Sequence, residues 1–260
     1  RKLETLMVKF GLLVPLVEDD SVERGGRRRS GAPGDEDSST LVRYLVPALL
    51  PEKTEADARA AVGSRTAELT CYLVFGDRAA MGEWQRQQYV TLEAAAEEGF
   101  LPGIVFPRLQ AKLSKQMQLM TGHAVEAAAL SKGWGVFSLG KHELAVTNMP
   151  GQCAVRLDVF VRSSAVVDKV QELAEQVLRE MMMLELRCAV AVPSDGGQLA
   201  GEASKYSGFR GRMVLLKGLR EAVELGRAVP VEAGVSGRLD GEALRGRFKL
   251  WLRASGMLDW

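Results

Sequence analysis

The 260-residue chain is 47% hydrophobic and 26% charged, a globular composition with enough apolar side chains for one large domain or two small ones. Its 34 Lys plus Arg against 33 Asp plus Glu leave a net charge of +1, which excludes a whole-molecule field that recruits nucleic acid or an anionic membrane. Three cysteines, Cys71, Cys153 and Cys188, each sit in an apolar stretch without CxxC spacing; this argues against a zinc or redox pair and suits buried thiols in a reducing compartment.

The chain begins at Arg1, with no cationic segment leading into an apolar h-region and no run of 18 apolar residues; it reads as an excised segment, so the missing signal says little about the parent, and the expected cytoplasmic, intracellular location accords with the reduced cysteines. Leu3, Leu6, Met7 and Phe10 recur at helical spacing before Gly11, and Leu12, Leu13, Val14 and Leu16 then read as a strand. Residues 18–39 set Glu18, Asp19 and Asp20, then Arg27, Arg28 and Arg29, then Asp35, Glu36 and Asp37 among glycines and serines. Such a stretch buries too little apolar surface to offset its ordering entropy, and a mobile loop is predicted. A strand over 41–46 ends at Pro47, and Pro51 bounds the Ala48-Leu49-Leu50 that follows. Helix, strand, long loop, strand is the order of a winged-helix tail.

A short helix is predicted over 55–62 and a buried strand over 69–75, closed by Gly76 and Asp77. One helical pattern spans 78–99 on Met81, Trp84, Tyr89 and Leu92. A second opens at Pro102, which suits a first-turn position, and carries Val105, Phe106, Leu109, Leu113, Met117 and Met120 at three- and four-residue steps. Strands over 134–139 and 144–147, joined by Gly140-Lys141-His142-Glu143, and a third over 154–161 form a meander with one buried face. Ser163 or Ser164 then caps a long helix whose Val166, Val167, Val170, Leu173, Val177, Leu178 and Met181 face inward, and a strand over 186–192 stops at Pro193. Met181-Met182-Met183 suits either a core gap-filler or a surface that repacks against a partner. Beyond a Gly-Ser-rich linker over 194–204, Met213 to Leu225 suggests one helix and Leu239 to Leu252 another. The expected architecture is α+β: a winged-helix tail over 1–62, an antiparallel or mixed sheet with helices packed on one face over 63–193, and a linker with a helical extension over 194–260.

Motifs for chemistry are sparse. Gly135-Val-Phe-Ser-Leu-Gly140-Lys141-His142 fits the GxxxxGK part of a phosphate-binding loop, but His replaces the Ser or Thr that ligands magnesium, and the flanks read as strands rather than strand and helix. A hairpin turn is the expected reading. His142-Glu143 lacks the second histidine of a zincin helix, since His123 lies in another segment, and no GxSxG elbow occurs. No catalytic, cofactor or metal site is therefore expected in this segment. Arg27, Arg28 and Arg29 are flanked by acids and have no aromatic residue for base stacking, so nucleic acid is not an expected partner. The basic tail around Phe248 and Trp251 reads as an amphipathic helix packed on the domain, with membrane or acidic-partner contact as the alternative.

Three stretches in order, Leu6-Met7-Val8-Lys9-Phe10-Gly11-Leu12, Tyr44-Leu45-Val46-Pro47-Ala48-Leu49-Leu50-Pro51 and Phe100-Leu101-Pro102-Gly103-Ile104-Val105-Phe106-Pro107-Arg108-Leu109, resemble the COR region of Roco proteins, the leucine-rich-repeat type of GTPase included. The first two resemble the end of its winged-helix half, COR-A, and the third the first helix of COR-B. The resemblance covers 1–193; the charged insertion at 18–39 and the residues after 194 lie outside it. It implies a non-catalytic regulatory and dimerisation module beside a Ras-like Roc GTPase domain of the same chain. GTP or GDP and magnesium would belong to that neighbour, and the partners would be the Roc domain and a second copy. The motif residues Leu6, Met7, Phe10, Tyr44, Leu45, Pro47, Leu50, Pro51, Pro102, Gly103, Phe106, Arg108 and Leu109 are expected to be mostly structural, with G-domain contacts near Lys9 and Phe10 and dimer contacts on the COR-B sheet. The alternative is a winged-helix interaction scaffold of a STAND or death-domain-type signalling protein without a G domain. A winged helix that binds nucleic acid is disfavoured, because residues 1–10 carry Glu4 beside few cations and the wing loop is net acidic.

Overall fold

The computed structural model describes residues 7, 13–16, 43–87, 89–123, 125–140, 142–160, 165–179, 184–191, 212–227, 229–230 and 238–239. The predicted first helix, except Met7, and the loop at 18–39, the caps Ser163 and Ser164, Met181 to Met183, the linker at 194–204 and the tail beyond Leu239 lie outside them.

The amino-terminal part is a ribbon of β1 (Val14–Leu16) and β2 (Arg43–Leu45), antiparallel with Val14 opposite Leu45. A 3-10 turn at Pro47–Leu49 follows, then α1 (Glu55–Val62). Thr54 begins α1 with a reciprocal cap: its amide and hydroxyl donate to Asp57 Oδ2, both at 2.8 Å, and the Asp57 amide donates back to Thr54 Oγ1.

The rest is built on one sheet. Its strands are β3 (Leu69–Asp77), β4 (Tyr89–Thr91), β5 (Trp134–Leu139), β6 (His142–Met149), β7 (Ala154–Val159), β8 (Leu184–Ala191) and β9 (Arg212–Leu215). They lie in the order β4-β9-β8-β3-β7-β6-β5, every neighbouring pair antiparallel. The helices are α2 (Arg78–Gln87), α3 (Leu92–Glu98), α4 (Val105–Thr121), α5 (Ala165–Leu178) and α6 (Leu216–Leu225). Strands β10 (Val229–Pro230) and β11 (Arg238–Leu239) form a small separate ribbon, so Leu239 opens no helix.

Strand β3 explains the layering. Its run from Leu69 to Phe75 is buried without a break, which requires cover on both sides of the sheet. Leu69, Cys71, Leu73 and Phe75 enter a large core with Val105, Phe106, Leu109 and Leu113 of α4, the Val166-to-Leu178 stripe of α5 and Leu219 and Val223 of α6. Tyr72 and Val74 point the other way, onto Ala80, Met81 and Trp84 of α2 and Ala95 of α3. Helices therefore cover both faces, not one as predicted. The apolar character of both alternating sets in β3 is the physical reason.

Four further expectations are corrected. The single helix over 78–99 is two, because Tyr89-Val90-Thr91 are strand formers that pair with β9, and the Thr91 hydroxyl then accepts the Ala94 amide at 3.0 Å to start α3. Pro102 is not in a helical first turn: its carbonyl accepts the Val105 amide at 2.9 Å just ahead of α4, and Pro107 occupies the first turn. Residues 213–225 are a strand and a helix, and Val214, Leu216, Leu219 and Val223 complete the large core, so this stretch belongs to the sheet rather than to a separate extension. The β5–β6 connection is also shorter than predicted, with Leu139 already opposite His142. The chain leaves α3 through Gly99, where a Cβ would stand 2.7 Å from the Phe75 carbonyl oxygen; the Phe100 amide then donates to that oxygen at 3.0 Å.

Candidate functional site

The motif residues converge on one seam. Leu45 and Leu50 from the ribbon side pack into the same core as Phe106 and Leu109, and the buried Pro47 begins the 3-10 turn that packs on α4. Tyr44, Pro102 and Arg108 are half-buried, while Pro51 and Gly103 are exposed. Met7 is helical and half-buried; Leu6 and Phe10 lie outside the described residues. Two of the three motifs, 44–51 and 100–109, are thus brought together although 48 residues, 52–99, separate them.

Below this seam the strap at 51–54 is clasped to the turn that leads into β5. The Lys132 amide donates to the Pro51 carbonyl at 3.1 Å, and the Lys53 amide donates to Ser131 Oγ at 3.3 Å. The Lys53 ammonium reaches the Ala128 carbonyl at 3.0 Å and stands 5.5 Å from the centre of the Trp134 ring, within cation–π range. Lys132 Nζ pairs with Glu52 at 2.9 Å, and that hydrogen bond and charge hold the Glu52 carboxyl below the usual glutamate range. The same turn is tied to α4 from inside: fully buried Gln110 donates from Nε2 to the Ser131 carbonyl at 2.8 Å and the Trp134 carbonyl at 3.0 Å. Strap, turn and helix form a continuous hydrogen-bonded path.

Sequence reading did not find Lys53, Gln110, Ser131, Lys132 or Trp134 as a group. Gln110 carried a signal, a lone amide beside Leu109 on the inward face of an apolar helix. The strap residues carried none, because their contacts lie 75 to 80 residues away.

The other chemistry-bearing residues are dispersed. Gly135 and Gly140 belong to a hairpin: Gly135 pairs with Val146 inside β5, and Gly140 takes a left-handed φ of 65° in the turn. Amides locked into a ladder do not cradle a phosphate as a loop before a helix does. His123 is exposed after α4, and half-buried His142 opens β6. Cys71 is buried in the sheet, Cys153 is half-buried after a 3-10 turn, and the Cys188 side chain is not described. Among the described residues no three His, Cys, Asp or Glu side chains gather into a metal-sized group. A polar row crosses the second sheet face: Arg156, 8% exposed, sets Nε and Nη2 each 2.9 Å from Asp158 Oδ1, and Thr70 Oγ1 donates to the same oxygen at 2.7 Å. Three donors on one carboxylate oxygen fix the strands β3 and β7 against each other rather than leave a base free for proton transfer. Among the described residues no helix is long and apolar enough to cross a membrane.

The arrangement is a seam in which a strap, a turn and a buried helix are joined by hydrogen bonds. Neither the family models nor the curated proteins compared with the chain give a match.

Proposed function

We propose that this segment is a COR-like regulatory and dimerisation module that acts beside a Ras-like GTPase domain of a larger cytoplasmic signalling protein. The observation that carries the reading is the meeting of the two COR-like stretches, Leu45 and Leu50 in one core with Phe106 and Leu109. A second support is the order of the later elements: β3, then, after α2, β4 and α3, the helix α4, the meander β5 to β7, the helix α5 and the strand β8. The clasp of Lys53 and Lys132 ties the strap that follows the ribbon to the turn before β5, a path by which a displacement at one would reach the other.

Regulation follows from linkage. If a dimer contact on this module differs between nucleotide states of the neighbouring domain, nucleotide affinity and dimer affinity change by the same coupling free energy, roughly 1 to 3 kcal/mol. On this reading the segment contributes surfaces, and GTP or GDP and magnesium bind next door. The parent chain is expected to carry a full GxxxxGK[ST] motif upstream of Arg1.

The test is mass by light scattering after size-exclusion chromatography over a concentration series. A monomer–dimer equilibrium supports the module; a strict monomer at about 100 μM, above the range of weak regulatory contacts, removes dimerisation from it.

A further inference from the structure

Helix α4 differs from the other long helices among the described residues. Its 17 residues contain Arg108, Lys112 and Lys115 and no Asp or Glu. Helices α2, α5 and α6 mix both signs and pair their cations: Arg86 with Glu83, Lys169 with Glu172, Lys217 with Glu221 and Arg220 with Asp168. Lys112 and Lys115 make no ion pair or hydrogen bond with any described residue.

These cations share a stripe with exposed apolar side chains. Ile104, Arg108, Lys112, Lys115 and Leu119 recur at steps of four, four, three and four residues, which places them within an arc of about 80° on the outer side of α4. Ile104 is 42% exposed and Leu119 71%. The 3-10 turn that packs on α4 adds Leu49, 80% exposed. Positive charge in the middle and apolar anchors at both ends is the complement of an acidic amphipathic segment.

We propose that the outer face of α4, with Leu49 beside it, docks an acidic amphipathic segment of another protein. Carboxylates of that segment pair with Lys112 and Lys115, and its apolar side chains cover Leu119 and Ile104. Three cations fall short of the clusters of roughly four to eight that hold anionic lipid surfaces, which favours a protein over a membrane. A second copy is a poorer occupant. Among the described residues the acidic helix is α3, with Glu93, Glu97 and Glu98, and it packs on the opposite sheet face, so its use would chain copies head to tail rather than close a dimer. The inference stands on surface chemistry and does not rest on the GTPase reading.

The probe is a fluorescein-labelled peptide with leucines at three- and four-residue steps and glutamates between them, read by fluorescence anisotropy against the whole 260-residue chain. Binding that weakens with salt is expected, with affinity falling about tenfold or more in Lys112→Glu/Lys115→Glu and falling also in Leu119→Ser. Coincident circular dichroism melts of the variants and the parent separate loss of docking from loss of fold. The proposal is overturned if the peptide does not bind, if it binds the charge-reversed chain equally well, or if its lysine-for-glutamate version binds as tightly. It is also overturned if phosphatidylserine vesicles, but not the peptide, bind the parent chain and lose the charge-reversed one.

Discussion

The two faces of the sheet are covered by different means. On one, α4, α5 and α6 bury a continuous apolar core that also takes in Leu45 and Leu50 from the amino-terminal part. On the other, α2 and α3 cover a smaller cluster around Tyr72, Met81 and Trp84, and beside it runs the polar row Thr70, Arg156 and Asp158. The first face joins distant parts of the chain; the second closes mainly over neighbours in sequence. On the proposed reading, a change in position would pass through the first face, with the second as its backing.

Truncations in the two cores sharpen this contrast most. Phe106→Ala removes a fully buried ring from the joining face and is expected to cost about 3 to 5 kcal/mol in urea unfolding, with Trp84→Ala in the same range. The two are told apart by reach: Phe106→Ala loosens the strap, and Trp84→Ala leaves it intact. Equal loosening of the strap by both would break the comparison. Next comes Asp158→Ala, which takes away the acceptor shared by Arg156 and Thr70 and is expected to cost about 2 to 3 kcal/mol. A change under about 0.5 kcal/mol would show that the polar row is not a structural tie.

Smaller effects probe the clasp. Gln110→Ala unties α4 from the turn before β5 and is expected to cost about 1 to 2 kcal/mol, since two buried hydrogen bonds are lost. The smallest is Glu52→Gln. Glu52 has its pKa lowered in the folded chain by Lys132, so its contribution is present above the ordinary value of 4.5 and is lost as pH falls through the lower folded value. The parent chain should melt slightly above the variant at neutral pH, and the two melts should merge in acid. A gap that grows as pH falls would contradict the pairing.

The elements with strong periodicity were readable from sequence, and the layering was not. The α5 stripe and the β5–β6–β7 meander follow directly from repeats of three to four and of two. The continuous apolar run of β3 held the sign that both faces are covered, and its meaning depends on which helix lies opposite. Tyr89 fits a helical pattern with Trp84 and Leu92 as well as a strand, and pairing with β9, more than 120 residues later, decided for the strand. The clasp shows the same limit. Lys53 and Trp134 have no local pattern in common, and only the folded chain brings them together.

Hydrogen exchange read by mass spectrometry on the parent chain and on Leu109→Ala tests most directly whether strap and α4 form one unit with the deep core. The amides of Leu49 and Leu50 at the 3-10 turn, of Lys53 in the strap and of the facing Lys132 are hydrogen-bonded in the fold. They are expected to be protected in the parent and to lose protection together with α4 in the variant, while residues 78–98 keep theirs. A strap that exchanges as fast as an unfolded peptide in the parent, or that keeps its protection when α4 is loosened, would contradict the account.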